Sequence, residues 1–410
     1  MSLCICTTSF AHILKWEDCV ALVRKNNPEL KSSEHTVRAA QFGVTKAQAG
    51  YFPDLTASGT VKRYQDKSAT AKGINESQTY TGKVTVDIFS GFETVASVRE
   101  SRATLERDQA SLSQTKVSLL SDLRKAFTDA LYAQENVKLT EKIERRLKKN
   151  ANFLKLRYQG GLEAKWTFEK AQADWKEALW ENEKAKAELK VNQKKLMKVV
   201  GLKQEDDVSV SGDFSMPSVT KLEEVRPTVL ERHPDITYQY FQKELSFATI
   251  QKEKSDFWPA MSLFADYSFK GVNEPPENMA WSYGVEFSWA LFSGLETYAS
   301  TKQARENYMK DDFTWQKTVL SVDSDLKDTY TSYQYAKGKV DITKAKLDAA
   351  RSRAGVVEEE YSSGLKIFLD WEQSQALLTQ AEKQYLLSQK DAVVALADFE
   401  KARGLELPIQ

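Results

Sequence analysis

Chemistry at a protein site needs nucleophiles, metal ligands or proton carriers within reach of one another, and the most versatile of these are scarce in this sequence. Three cysteines, Cys4, Cys6 and Cys19, lie near the N-terminus, and three histidines, His12, His35 and His233, are scattered. Neither a zinc-type ligand spacing nor a Cys/His nucleophile pair can be built from them at short range, and no glycine loop of the phosphate-cradling type occurs. The expectation is therefore a chain without catalytic residues, metal or cofactor. What the chain does instead has to be sought in its larger elements.

Composition narrows those elements. The 410 residues carry 58 Lys+Arg against 58 Asp+Glu, and a net charge of zero argues against nucleic acid as a partner. Apolar residues (41%) suffice for a core, while 28% charged residues and a mean hydropathy of -0.52 exclude a conventional polytopic helical membrane protein. No stretch of roughly 20 apolar residues could span a bilayer as a helix. Only nine Pro and 17 Gly interrupt the chain, so long helices are possible and the breakers should mark boundaries. The opening MSLCICTTSFA reads as the tail of a secretory signal peptide, with Ser9-Phe10-Ala11 as a small-x-small cleavage site but no positively charged start. An ordinary apolar N-terminus is the alternative.

Those breakers recur. Asn27-Pro28-Glu29 is echoed by His233-Pro234-Asp235, and Tyr51-Phe52-Pro53 by Phe257-Trp258-Pro259, each 206 residues on. Phe89-Ser90-Gly91 returns as Phe292-Ser293-Gly294, Tyr158 and Gly161-Leu162 as Tyr361 and Gly364-Leu365, and Gly201-Leu202 as Gly404-Leu405, each 203 residues on. The sequence is a duplicated unit of about 200 residues with one loop shortened by three.

Within each unit the hydrophobic period changes twice. Residues 16–50 are helical in pattern, and Pro53 stops that helix by forcing its predecessor extended. Alternation follows: Val84, Val86 and Ile88 share one face against Lys83, Thr85 and Asp87. In the second unit Trp281, Tyr283, Val285, Phe287, Trp289 and Leu291 share a face, and Leu263, Ala265, Tyr267 and Phe269 on the preceding run complete a hairpin. After the Phe-Ser-Gly the period is helical again. Residues 93–158 hold no Gly or Pro over roughly 100 Å of helix, with Leu105, Leu112, Leu119 and Leu123 at coiled-coil spacing. Gly160-Gly161 permits a reversal into a second helix, which Gly201 ends.

A hairpin with a continuous apolar, aromatic face packs either on a soluble core or against lipid. Strands of about 10 to 12 residues, the dense aromatics and the signal-like start favour lipid here. Four such strands cannot sit in lipid alone, because unpaired edge N–H and C=O groups are costly in hydrocarbon. The sheet must close with copies of itself in a cyclic assembly, from which the helices extend into water.

With these features the chain resembles the TolC family of outer membrane efflux and secretion channels, from about Leu14 to Leu405, through the order and duplication of the Asn-Pro, Pro, Phe-Ser-Gly and Gly-Leu motifs. The resemblance implies a mostly α fold with a β-barrel part. Four transmembrane strands per chain would close as a 12-stranded barrel in a homotrimer, and a long coiled-coil helical barrel would taper through the periplasm. It also implies an outer membrane, porin-like exit channel of Gram-negative bacteria, docked to a periplasmic adaptor and an inner membrane pump in tripartite efflux or type I secretion. Tyr361-Ser362-Ser363-Gly364-Leu365-Lys366 matches the family's gate pattern, with Lys366 where the family has Arg. Tyr361, Lys366 and Asp370 are therefore gate candidates, although a Lys lacks the bidentate fork of Arg. The alternative for Lys366 and Asp370 is a surface pair on a solvated helix end. Gly160, Gly161, Leu162 and Ser363, Gly364, Leu365 match the adaptor-docking turns, which a tight left-handed reversal would also require.

The expected organisation is a residual signal peptide at 1–13 and a first repeat at 14–203, with a hairpin at about 54–89 and helices at 93–158 and 164–200. A linker at 204–222 leads to a second repeat at 223–405, with a hairpin at about 260–292 and helices at 296–361 and 366–403, and a tail at 406–410. Trp166, Trp175 and Trp180 read as packing residues, and the basic run from Lys138 to Lys149 as a solvated face. A soluble periplasmic coiled-coil scaffold or an adaptor protein is the rival reading. The scaffold leaves the aromatic stripe unexplained, and the adaptor leaves the duplication unexplained.

Overall fold

The computed structural model describes residues 12–66, 73–202, 208–217, 219–271 and 278–408. Among them the chain runs through strand β1 (His12–Leu14), helices α1 (Trp16–Asn26) and α2 (Pro28–Gln48), strands β2 (Asp54–Asp66) and β3 (Gly73–Ser90), helices α3 (Glu93–Gln159) and α4 (Lys165–Val200), and strand β4 (Val208–Val210). The series then repeats as α5 (Leu222–Arg232), α6 (Pro234–Glu253), β5 (Ala260–Gly271), β6 (Asn278–Ser288), α7 (Glu296–Ser362) and α8 (Phe368–Ala402). The fold is mostly helical with one four-stranded antiparallel sheet, and α3 and α7 are 67 residues each. No helix among the described residues is long and apolar enough to cross a membrane.

The helical pattern of residues 16–50 is broken at Asn27, because Pro28 has no N–H and holds its predecessor extended, at ψ 121°. The break is put to use. Asn27 Oδ1 accepts from the N–H of Glu29 and of Leu30, capping α2, while its Nδ2 donates to Val199 O at 2.8 Å. That approach also explains Gly201, which ends α4 at φ +79° with Asn26 backbone 2.7 Å from where a Cβ would sit.

The chain divides into two units. One comprises residues 34–111 and 235–319 and holds the sheet, ordered β2-β3-β5-β6. Its register puts Leu55, Val84, Ala265 and Tyr283 in one row across the four strands, and Ala57, Gly82, Tyr267 and Trp281 in another. The alternate rows are mainly polar: Thr56, Lys83, Asp266 and Ser282 lie opposite one another, and an aromatic exception on that face, Phe264, lies under the Lys83 ammonium. Period two along each strand thus becomes two chemically distinct faces of the whole sheet. A register shift between Asp87 and Phe89 makes Ile88 the extra residue, so Phe89, not Ile88, lies opposite Met261 on the apolar face. Strand β6 stops at Ser288, opposite Ala260, short of the 292 that alternation predicts, because beyond Ala260 no strand lies opposite it among the described residues.

The other unit comprises residues 1–33, 112–234 and 320–410. Its core gathers Cys19, Val23, Leu123, Ala130, Leu196 and Val208 with their neighbours. Here the inter-repeat linker becomes structure: β4 pairs in parallel with β1, and the Gln134 side chain both donates to Val210 O and accepts from Val210 N, at 3.2 and 3.3 Å. The signal-like residues up to Ala11, with Cys4 and Cys6, lie outside the described residues, whereas His12 and Ile13 belong to β1. The basic run is not merely a solvated face. Lys142 and Arg146 hold Glu382, whose side chain is 3% exposed, at 2.9 and 3.1 Å, because two cations one turn apart on α3 meet one carboxylate on α8.

Candidate functional site

The two inter-helix turns are built alike. In the first, Gly160 N–H donates to Leu156 O, Gly161 N–H to Tyr158 O and Leu162 N–H to Arg157 O; in the second, Gly364 N–H donates to Tyr361 O and Leu365 N–H to Glu360 O. Gly161 and Gly364 adopt φ +71° and +78° with open space around the missing Cβ, so their backbone conformation is what calls for glycine. Leu162 and Leu365 are 69% and 77% exposed, as a docking contact needs.

Tyr361 ends up elsewhere than in solvent. It is 2% exposed, stacked on Trp371 at 5.0 Å, and edge-on to Phe153 and Phe368. Ala151, Leu154, Ala171 and Val357 complete this cluster, with Trp175 packed against it. The Tyr361 hydroxyl donates to Glu163 Oε1 at 2.5 Å, and Arg157 Nε lies 3.4 Å from the same oxygen, its guanidinium 5.2 Å over the Tyr361 ring. Burial first, and the Glu163 hydrogen bond second, push the Tyr361 phenol well above its ordinary value, so it stays a donor. A side chain at the end of α7 is thereby tied to the turn between α3 and α4.

Glu163 and Arg157, which hold Tyr361 here, are not among the gate candidates read from the sequence, although the repeat carried their signal. At the 203-residue offset Glu163 corresponds to Lys366 and Arg157 to Glu360, a charge inversion at both positions. Among the other gate candidates, Lys366 is exposed in the turn, ahead of α8, and Asp370 is half-buried in its first turn. They are thus not an i, i+4 pair on one helix, and Asp370 instead complements the helix N-terminus. The structure does not bring either to Glu163.

Of the three tryptophans read as packing residues, Trp175 packs, Trp166 meets Phe368 edge-on at 5.5 Å while 58% exposed, and Trp180 is 64% exposed. Trp180 lines a groove of about 650 Å³ between α3, α4 and α8, whose floor includes Trp371 and Gln375 and whose rim carries the Lys383–Glu181 and Lys170–Glu372 pairs.

A family model described as outer membrane efflux protein matches residues 20–202 and 225–405, that is, both repeats. The chain belongs to that family. As an outer membrane efflux protein it resembles Nodulation protein T of Rhizobium leguminosarum bv. trifolii, 20% identical over 92% of this chain and 80% of the relative. It also resembles the alkaline protease secretion protein AprF of Pseudomonas aeruginosa, 23% identical over 68% of this chain and 60% of AprF. Its fold is that of the outer membrane protein VceC of Vibrio cholerae, with a TM-score of 0.83 at 17% identity over 96% of each chain. Its place is thus the Gram-negative outer membrane, and its function is that of an efflux channel.

Proposed function

We propose that three copies close into a 12-stranded barrel through which cargo leaves a gated periplasmic tunnel. The observation that carries this reading is the four-stranded sheet, apolar on one face, mainly polar on the other and unpaired at both edges among the described residues. The repeat supplies a second support. Within the chain Ser90 pairs with Ala260 and Phe89 with Met261, and Gly91 sits so close to the backbone of the turn before β5 that a Cβ there would be 2.4 Å from Ser255 O. The equivalent Gly294 has open space, and Leu291, Phe292 and Leu295 are 80%, 82% and 68% exposed. Shifted by one repeat, the same pairing would set Ser293 opposite Asp54 and Phe292 opposite Leu55 of a second copy, covering these residues and extending β6. A threefold ring follows from the family pattern.

In this reading Tyr361 and Glu163 form a clasp within each chain, while Lys366 and Asp370 face the neighbouring copy across the tunnel entrance. The turns at Gly160-Gly161-Leu162 and Ser363-Gly364-Leu365 receive the periplasmic adaptor, and the groove beside Trp180 is suited to a partner helix. The adaptor links the duct to an inner membrane pump. The likeness to AprF supports service in protein secretion as a second assignment, with the pump selecting the cargo.

Native mass in mild detergent tests the assembly. Three chains of 46.5 kDa give about 140 kDa before any processing; a detergent-independent monomer would overturn the reading.

A further inference from the structure

We infer that each chain carries a binding site for the phosphodiester of an anionic phospholipid, at the end of the sheet from which the long helices leave. The inference rests on the membrane assignment of the sheet and adds a specific ligand to it. Phe89 lies on the apolar face beyond the bulge, opposite Met261, which in turn lies opposite Phe287. From Phe89 a chain of rings leads off the sheet: Phe89 meets Phe92 edge-on at 5.2 Å, and Phe92 meets Trp258 edge-on at 6.1 Å. These rings open onto a cleft of about 280 Å³ formed by the start of α3 and the end of α6. Its lining includes Phe92, Val95, Trp258, Arg99 and Lys254, and no carboxylate. Gln251 Oε1 accepts from Arg99 at 2.6 Å and steadies the guanidinium, while the nearby Glu100 is engaged by Lys252 at 3.3 Å.

Two cations beside aromatic rings, next to a lipid-facing surface, are the donor set for a phosphate at headgroup depth, with the rings covering the first carbons of an acyl chain. Free phosphate shares the anion chemistry but has no use for the rings, and their continuity with the apolar face commits the site to lipid. Because the long helices leave the sheet at this end, the lipid belongs to the leaflet facing the periplasm. The repeat-shifted counterpart, built from the start of α7 and the end of α2, lacks this donor set: it would have Leu295 for Phe92, Lys302 for Arg99 and Gln48 for Lys254, one cation where the cleft between α3 and α6 has two.

The test uses detergent-purified protein titrated with vesicles of phosphatidylethanolamine alone or mixed with phosphatidylglycerol, together with a photoreactive phosphatidylglycerol mapped by mass spectrometry. The expected result is preferential retention of phosphatidylglycerol, cross-links on peptides carrying Phe92 or Trp258, and about tenfold weaker retention in the Arg99→Gln, Lys254→Gln double variant. Lys302→Gln is expected to behave as wild type. The wild-type cross-links decide the matter even if the double variant folds poorly. Equal retention of both lipids, cross-links scattered over the barrel, or displacement by inorganic phosphate at equal concentration would overturn the lipid site while leaving the membrane assignment standing. Recovery of the chain in the soluble fraction without detergent would overturn both.

Discussion

Tyr361→Phe isolates the clasp. The substitution keeps the ring that stacks on Trp371 and removes only the hydroxyl donated to Glu163, whose side chain is 12% exposed. A hydrogen bond to a charged acceptor contributes about 1.5–3 kcal/mol, and burial of both partners places this one in the upper half of that range. What remains for the carboxylate is Arg157 at 3.4 Å, a poor replacement. If the clasp is made only in the closed duct, each chain loses a factor of about 40 to 150 in its preference for closure. The assay is conductance of the purified channel in a planar bilayer, compared with thermal stability in detergent. The expected outcome is a raised open-state occupancy in Tyr361→Phe and in Glu163→Gln, no further rise in the double variant, and little change in unfolding temperature. The pH dependence follows from the sign of the shift. The folded state holds the phenol proton more tightly than the unfolded chain does, so the contribution is complete below the ordinary value of about 10 and is lost only as pH rises through the higher folded value. Closure should therefore be insensitive to pH from neutrality to about 9 as far as this group is concerned. Wild-type conductance in Tyr361→Phe would refute the clasp.

Arg146→Ala leaves the buried Glu382 with Lys142 alone and should cost about 3 kcal/mol, read as a lowered denaturation midpoint; replacing Arg146 and Glu382 together by Met should recover most of it. Gly201→Ala meets both a left-handed backbone and Asn26, and should destabilise more than Gly364→Ala, which meets only the backbone penalty of about 1 kcal/mol. Burial pushes the Cys19 thiol up to about 12, so Cys19 should resist alkylation at neutral pH until the protein is unfolded, as peptide mass spectrometry will show. Leu162→Asp with Leu365→Asp should abolish export while leaving the native mass unchanged; retained export would place the adaptor elsewhere.

The larger elements were legible because breakers are few and the period changes are clean. Pro28, Pro53, Gly91 and Gly201 each enforce a backbone event that their own covalent structure dictates, and the duplication doubled the signal. The bulge at Ile88 was hidden, since alternation alone gives no sign of which strand carries an extra residue. The early end of β6 was hidden for a different reason: pairing needs a neighbour, which one chain does not contain. The ionic layer at Glu382 depends on which face of α8 meets α3, a tertiary fact that charge counting along residues 138–149 cannot reach. Glu163 was discoverable from the repeat alignment, but only by comparing charge rather than matching identity, because motif reading looks for residues that stay the same.

The charge inversion between the two turns has a consequence for symmetry. Six identical half-chains around one axis would have to fasten every helical tip or none. Fusion of two unequal halves removes that constraint, so Arg157 and Glu163 can anchor one tip inward while Glu360 and Lys366 leave the next without an ion pair among the described residues. In the proposed trimer the hydrogen bond from Tyr361 to Glu163 would hold the two tips of one chain together as a pair, so widening the entrance would require that bond to break or the pair to move as one.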